Sequence, residues 1–550
     1  MRRSYFRSFF TSDTFHSEII AVALAIYFSA FLNGPLWDAL LRTQSGVFPL
    51  QRWLFVWTAI VGITAFQALF ISLLLWGRVA KWVAAILVLI TSVTHYFSQH
   101  YGTFFDKSMI RNVLQTNVNE AGELITLKML TQVVLYALPA ILFLIFYRSK
   151  PVSLRHQLGA KAVTVTVTLM LVMGAVALQF KSLASAMRNH RDVRHLILPS
   201  SPTLAMARAL GEDAAEGAVA RLPLDSAATR VTNRRQRPLL TVVVVGETVR
   251  AQNWGLSGYT RQTTPKLAML SSNELFNSPY LRSCGTNTEV SVPCMFSGIG
   301  RQDYDEKYIK SNFSVLHLLQ QTGVHTTWID NQSGCKGACD GVIRSLSLRE
   351  AIGDVRSSEF LLDGYFLGAT KSQVLKLPAD QIVVLHMIGN HGPAYSRRYP
   401  AEFKHFVPVC EDVNLTNCDT ATIVNAYDNA VRYTDSVLAE LIAFLNRIQD
   451  RDVAMIYVSD HGESLGEGGL YLHGLPYAIA PDVQTRVPFV FWMPLRSQRN
   501  ASINTECVKK QFGQPNEHDV LAHTLLGLYR VNTRIYRPKF DLIQSCRDER

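Results

Sequence analysis

Two kinds of stretch in this chain carry residues able to do chemistry. One is SCGTNTEVSVPC, residues 283–294, where Cys284 and Cys294 bracket three hydroxyls, Thr286, Thr288 and Ser291, with Pro293 at the end. The other is a set of acid and imidazole clusters: Gly246-Glu247-Thr248, Gly389-Asn390-His391-Gly392-Pro393, Ser459-Asp460-His461-Gly462-Glu463-Ser464 and Tyr471-Leu472-His473-Gly474. Carboxylate oxygens and imidazole nitrogens are donors that zinc favours. The glycines let backbone come close to a ligand. A lone histidine after a strand is more often a structural hydrogen-bonding residue. The adjacent Asp460-His461 pair, with Glu247 at another strand end, points to a metal site. A metal beside a hydroxyl suits attack on a phosphodiester. That reaction needs an activated oxygen, a cation to neutralise charge on the phosphoryl oxygens, and a proton for the leaving group. His391 and His473 are imidazoles that can handle such a proton near neutral pH.

The clusters follow apolar runs: LLTVVVV (239–245), TTWID (326–330), QIVVLHMI (381–388), DVAMIYVS (452–459) and VPFVFWM (487–493). Helix-like segments such as SVLHLLQQTG and NAVRYTDSVLAELIAFLNRI lie between them. Short apolar strands alternating with helices predict an α/β domain with a largely parallel sheet. Ligands of such sheets sit beyond the carboxyl ends of the strands, where these polar clusters fall.

All eight cysteines lie after residue 280, as close pairs Cys284/Cys294, Cys335/Cys339 and Cys410/Cys418, with Cys507 and Cys546 left over. An even number confined to one region predicts four disulfides in an oxidising compartment. Thiolate metal ligation is the rival, but CxxC spacing is absent. The first third has no cysteine and carries five apolar runs: 17–33, 54–76, 79–97, 132–147 and 162–180. They reach or approach the ~20 residues that cross a bilayer. Over the whole chain 48% of residues are hydrophobic and 18% charged, against roughly 25% charged in soluble domains. Arg2, Arg3, Arg7, Arg78, Lys81, Arg148, Lys150, Arg155 and Lys161 mark one side as cytoplasmic. Five spans then export everything after Phe180, as the cysteines independently require. Residues 181–237, basic at first and ending in Arg234-Arg235-Gln236-Arg237-Pro238, are expected to form a bridging helix near the membrane surface and a linker. The net charge of +11 favours an anionic partner such as a phospholipid surface or a phosphorylated substrate. No zinc finger, basic helix or RNA-binding signature supports nucleic acid.

The segments GETVRAQNWGLSGY, SCGTNTEVSVPCMFS, DNQSGCKG, GNHGPAY and SDHGESLGE with YLHG, in this order, resemble the phosphoethanolamine transferases that modify lipid A. That family includes the mobile colistin-resistance enzymes and belongs to the alkaline phosphatase superfamily. The resemblance covers essentially the whole chain. It implies a multi-domain protein: a five-helix transmembrane domain (1–180), a bridging helix and linker (181–237), and a periplasmic alkaline-phosphatase-like, sulfatase-like α/β catalytic domain (238–550). It implies that Thr288 is the nucleophile and that Glu247, Thr288, Asp460 and His461 hold one firmly bound zinc. His391 and His473 hold the phosphoryl group or a second zinc, helped by Glu463. Ser333 and Lys336 contact the phosphoethanolamine head group, together with Asn112, Thr116 and Glu120. By spacing alone those last three, at i, i+4 and i+8, are one face of a helix and more often a solvated one. Gln332 is left outside the site. Given Thr288 as nucleophile, Thr286 and Ser291 are expected to be loop hydrogen-bonders.

The implied activity is transfer of phosphoethanolamine from phosphatidylethanolamine to a lipid A phosphate in the bacterial inner membrane, by a monomer. Masking that phosphate lowers surface negative charge and gives polymyxin resistance. Transfer to core sugars or another glycan, phosphoglycerol transfer, sulfatase activity and a zinc-binding sensor without turnover are the alternatives. No C/S-x-P-x-R motif surrounds the candidate nucleophile, which argues against a sulfatase.

Overall fold

A computed structural model describes residues 16–43, 49–115, 118–147, 153–180, 193–216, 221–231, 237–341, 344–353, 361–374 and 379–547. The chain divides into two compact units, Met1–Ile110 with Ile125–Gly211, and Arg111–Leu124 with Glu212–Arg550.

The first unit is helical. Among the described residues four helices are long and apolar enough to cross a membrane: α3 (Pro49–Leu74), α4 (Ala80–Tyr101), α7 (Leu127–Phe146) and α8 (Leu154–Leu178), with the short α5 (Lys107–Gln115) and α6 (Val118–Leu124) between α4 and α7 in the chain. The run 17–33, expected as the first span, opens a bent pair that makes a fifth span if the pair is counted as one. α1 (His16–Tyr27) continues into a π-helical turn, and α2 (Gly34–Thr43) leaves it at 63°. Pro35 has no N–H for the helix ladder. At the break, the Asn33 amide donates to the carbonyls of Phe28 (2.9 Å) and Leu198 (3.0 Å), and its oxygen accepts from Leu198 N–H (3.0 Å). The broken backbone is thereby satisfied inside an apolar unit. Buried Lys161 and Glu18 pair at 3.0 Å, and Lys161 also lies over the Trp76 ring. The basic start of the bridging segment, 181–192, lies outside the described residues. The helix found in this part of the chain is Ser200–Glu216.

The second unit is built on an eight-stranded sheet. Its strands are β1 (Leu239–Gly246), β2 (Leu275–Arg282), β3 (His325–Asp330), β4 (Arg344–Ser347), β5 (Gln381–His386), β6 (Asp452–Ser459), β7 (Arg486–Trp492) and β8 (Asn516–Glu517). Their spatial order is β8-β2-β7-β6-β1-β5-β3-β4. β7 alone runs antiparallel to its neighbours β6 and β2, so the sheet is mixed but mainly parallel. β1 is buried on both faces. Leu239, Val243 and Val245 join one core, and Leu240, Val242 and Val244 join the other, where the helix Thr420–Asn446 also packs. That double burial is why its sequence is a continuous apolar run.

Disulfides join Cys284–Cys294, Cys335–Cys339, Cys410–Cys418 and Cys507–Cys546. The last spans 39 residues, and cross-linking a loop of that length restricts the unfolded chain by about 4 kcal/mol. A Cys507→Ser, Cys546→Ser double variant is expected to lower the melting temperature of the purified protein by roughly 10 °C. An unchanged melting curve contradicts that role.

Candidate active site

Because β2 runs parallel to β6, its carboxyl end delivers residues 283–288 to the edge that receives the loops after β1, β5 and β6. Pro279 and the polar Asn277-Ser278 hide this strand from a periodicity search. Ser291, expected with Thr286 to lie in a loop, lies in a helix. That helix, Thr288–Met295, is capped by Asn287, whose side chain accepts from Val290 N–H at 3.0 Å. Thr288 is the first residue of this helix.

Thr288 Oγ1 donates to Glu247 Oε2 at 3.1 Å and lies 3.4 Å from His461 Nε2. His461 Nε2 is 3.4 Å from Glu247 Oε1 and 3.2 Å from Asp460 Oδ2. Asp460 Oδ1 is committed to the backbone N–H groups of Thr248 (3.2 Å) and His461 (2.7 Å). Among the described residues nothing hydrogen-bonds its buried Oδ2. His461 Nδ1 faces the Gly462 carbonyl at 2.9 Å. The proton therefore belongs on Nδ1, and Nε2 aims a lone pair at two carboxylates. Burial keeps the His461 pKa below the usual imidazole range. Buried acceptors converging this closely fit a cation, and the donor set of two carboxylates, an imidazole and a hydroxyl fits zinc. Gly389, at φ +49°, crosses over Glu247 so closely that a Cβ would sit 2.7 Å from the Glu247 carbonyl oxygen.

Glu247, His391 and His473 also bring ligand atoms together, as do His461, Glu463 and His473. The His473 ring lies 4.4 Å from that of His461 and 5.6 Å from that of His391. Glu463 is buried beneath them, accepting from His473 Nδ1 (2.8 Å) and the Tyr395 hydroxyl (2.7 Å). It thus reaches the site through His473. Burial, then the neighbouring His473 and Arg398, hold His391 well below its usual pKa.

The other two hydroxyls are engaged elsewhere. Thr286 donates to the Leu475 carbonyl (2.6 Å) and Ser291 to the Asp460 carbonyl (2.5 Å). His518, after β8, accepts from Cys284 N–H (3.0 Å) and meets the Ser459 carbonyl (3.0 Å), tying the nucleophile segment to the end of β6.

Thr116 and the side chain of Glu120 lie outside the described residues; Asn112 is half-buried on the helix Lys107–Gln115. Gln115, on the same helix, hydrogen-bonds Glu289, the residue after Thr288. Burial raises the Glu289 pKa, opposed by Lys310, Lys336 and Arg111. Arg111 is buried and paired with Glu306 and with Glu212. At the other end of the segment, Glu123 accepts from Arg398 (2.5 Å), whose Nε holds the His391 carbonyl (2.7 Å). Lys336, at φ +52°, donates to the Ser333 hydroxyl at 2.8 Å. Gln332 turns its N–H to Asp330 (2.6 Å). Arg398, Gln115, Glu289 and His518 carried no local signal in the sequence, because their partners lie far away along the chain.

The profile of the family described as Sulfatase matches residues 240–531, and that described as Phosphoethanolamine transferase EptA/EptB matches residues 63–214. Phosphoethanolamine transferase EptA of Escherichia coli (strain K12) is 35% identical over 472 residues, 84% of this chain and 85% of the relative. The chain belongs to the phosphoethanolamine transferase family. Phosphatidylethanolamine transferase Mcr-1 of Escherichia coli is 33% identical to this transferase over 530 residues, 93% of this chain and 95% of the relative. The integral membrane lipooligosaccharide phosphoethanolamine transferase A of Neisseria meningitidis superposes with a TM-score of 0.91 at 33% identity, covering 96% of this transferase and 99% of that chain.

Proposed function

We propose that this transferase takes phosphoethanolamine from phosphatidylethanolamine, carries it on Thr288 and passes it to a lipid A phosphate. It would act from the bacterial inner membrane with its catalytic unit in the periplasm. The observation that carries this reading is the convergence of Thr288, Glu247, Asp460 and His461 at the strand ends. The family and the lipooligosaccharide substrate named for the meningococcal neighbour support the donor group and the acceptor class.

Glu247, Asp460 and His461, with Thr288, would hold zinc, which when bound supplies positive charge against the hydroxyl and the phosphoryl oxygens. In the first half-reaction Thr288 gives its proton to Glu247, to which it already donates, Oγ1 attacks phosphorus and the bond to the diacylglycerol oxygen breaks. That oxygen leaves with a proton from His473, whose Nδ1 is held by the Glu463 carboxylate, while His391 beside it stays neutral. In the second, a lipid A phosphate oxygen attacks, its proton passing to His473, the bond to Oγ1 breaks, and Glu247 returns the proton that restores threonine. The transferred group would sit at the positive end of the helix that Thr288 opens. The Gln115–Glu289 contact supports a head-group role for Asn112, Thr116 and Glu120, with Glu120 as counter-charge to the ammonium and Ser333 and Lys336 beside the phosphate.

Mass spectrometry of lipid A from cells with and without the protein tests the reading. The expected result is one added phosphoethanolamine with the wild type and a loss of at least tenfold with Glu120→Ala. Unchanged lipid A beside a modified core would overturn the acceptor. Full transfer by Glu120→Ala would overturn the head-group role.

A further inference from the structure

In the first unit a polar cavity of about 290 Å³ opens among His95, Tyr96, Gln99 and His100 of α4 and Gln132 and Tyr136 of α7. The charge pattern puts these helix ends on the exported side. His100 and Gln132 bind each other at 2.7 Å, and His95 meets the Tyr136 ring edge-on at 4.8 Å. Two polar atoms are left over. His95 holds the Leu32 carbonyl through its other nitrogen, which leaves Nδ1 a lone pair; among the described residues nothing hydrogen-bonds that Nδ1 or the Tyr96 hydroxyl, although the two residues are only 3% and 1% exposed. Bare polar atoms buried among membrane helices are costly, and polar residues at such places mark ligand sites.

Gly34, at the break between α1 and α2, also lines this cavity, and a Cβ added there would have only Gln99 Oε1, at 3.5 Å, within 4 Å. Residues of the same break border a second space, an apolar groove of about 710 Å³ walled by Val22, Ile26, Trp37, Ile60, Val61 and Leu171. A polar cavity and an apolar groove sharing one bend suit an amphiphile rather than a sugar or water alone.

We propose that the cavity binds the zwitterionic head group of phosphatidylethanolamine, with an acyl chain in the groove, as a lipid site within the membrane unit itself. The walls offer neutral hydrogen-bonding groups and aromatic rings and no permanently charged side chain. A head group with net charge would be buried there without a counter-ion. A zwitterion brings its own. Its phosphodiester oxygens accept from the Tyr96 hydroxyl, and its ammonium donates to His95 Nδ1 and the glutamine carbonyls and faces the Tyr96 and Tyr136 rings. The inference shares its lipid with the function proposed above but needs none of the Thr288 chemistry.

The test uses full-length protein carrying Thr288→Ala and Glu120→Ala, which removes the covalent step and the counter-charge to the ammonium at the catalytic unit, so that the cavity variants below report on the membrane site. Native mass spectrometry in detergent follows its titration with dioleoyl phosphatidylethanolamine or dioleoyl phosphatidylglycerol. The expected result is one retained phosphatidylethanolamine site, with phosphatidylglycerol at least tenfold weaker. His95→Phe with Tyr96→Phe should weaken phosphatidylethanolamine binding at least tenfold. Gly34→Leu, which fills the cavity and leaves those groups in place, should do the same. The proposal is overturned if the two lipids bind alike, if the parent variant binds no phosphatidylethanolamine, or if a cavity variant that elutes and melts like its parent binds it fully. None of these outcomes alters the lipid A mass spectrum, on which the transfer reading stands or falls separately.

Discussion

Replacing Thr288 by alanine is expected to reduce phosphoethanolamine transfer by a factor on the order of 10⁴ or more, because the hydroxyl that lies against both Glu247 and His461 disappears. Thr286 and Ser291 cannot substitute. Each already donates to a backbone carbonyl, and turning either one around would leave a buried acceptor bare. The fold should survive, since Thr288 stands at the start of its helix and the cap is made by Asn287. Thr288→Ser should keep part of the activity, on the order of a tenth to a hundredth. The oxygen remains, but the methyl group that restricts its rotamer is lost. Transfer assays on purified full-length protein, with metal content and melting temperature measured in parallel, distinguish the cases. A Thr288→Ala protein with a tenth of wild-type activity would sink the assignment.

The second large effect concerns Asp460. In the absence of a cation, Glu247, Asp460 and the His461 lone pair face one another in a fully buried space. A metal that binds only the folded state stabilises it by about 4 kcal/mol at a thousandfold excess over Kd. Chelation is therefore expected to lower the melting temperature by roughly 10 °C, and added zinc to restore it. Asp460→Asn keeps the shape and removes the charge. It should hold no stoichiometric zinc, show no zinc-dependent shift and transfer nothing measurable. Wild-type zinc content in Asp460→Asn would contradict the ligand assignment.

Local pattern carried much of this site. Glu247, Asp460 and His461 follow apolar runs that proved to be β1 and β6, and parallel strands bring their carboxyl ends to one edge wherever the chain wanders between them. The first break in legibility is β2. Its Pro279 and polar residues resemble a loop, yet it sets the direction from which Thr288 arrives. The second is the bend at Asn33, where an apolar run says nothing of the side chain that will cap a broken helix. The third is tertiary. The Arg398–Glu123 pair joins positions 275 apart in sequence, and Gln115 meets Glu289 across a similar topological gap. Such contacts follow from the finished fold and have no periodicity to betray them.

The central claim is that phosphoethanolamine rests on Thr288 between donor and acceptor. The most direct measurement incubates full-length protein with phosphatidylethanolamine and no acceptor, quenches with acid, and maps the modified peptide by mass spectrometry. The account predicts one added phosphoethanolamine in the peptide spanning Cys284–Cys294, with fragment ions placing it on Thr288, and its loss when lipid A is supplied. An adduct on Thr286, Ser291 or a histidine, or turnover with no adduct at all, would contradict it.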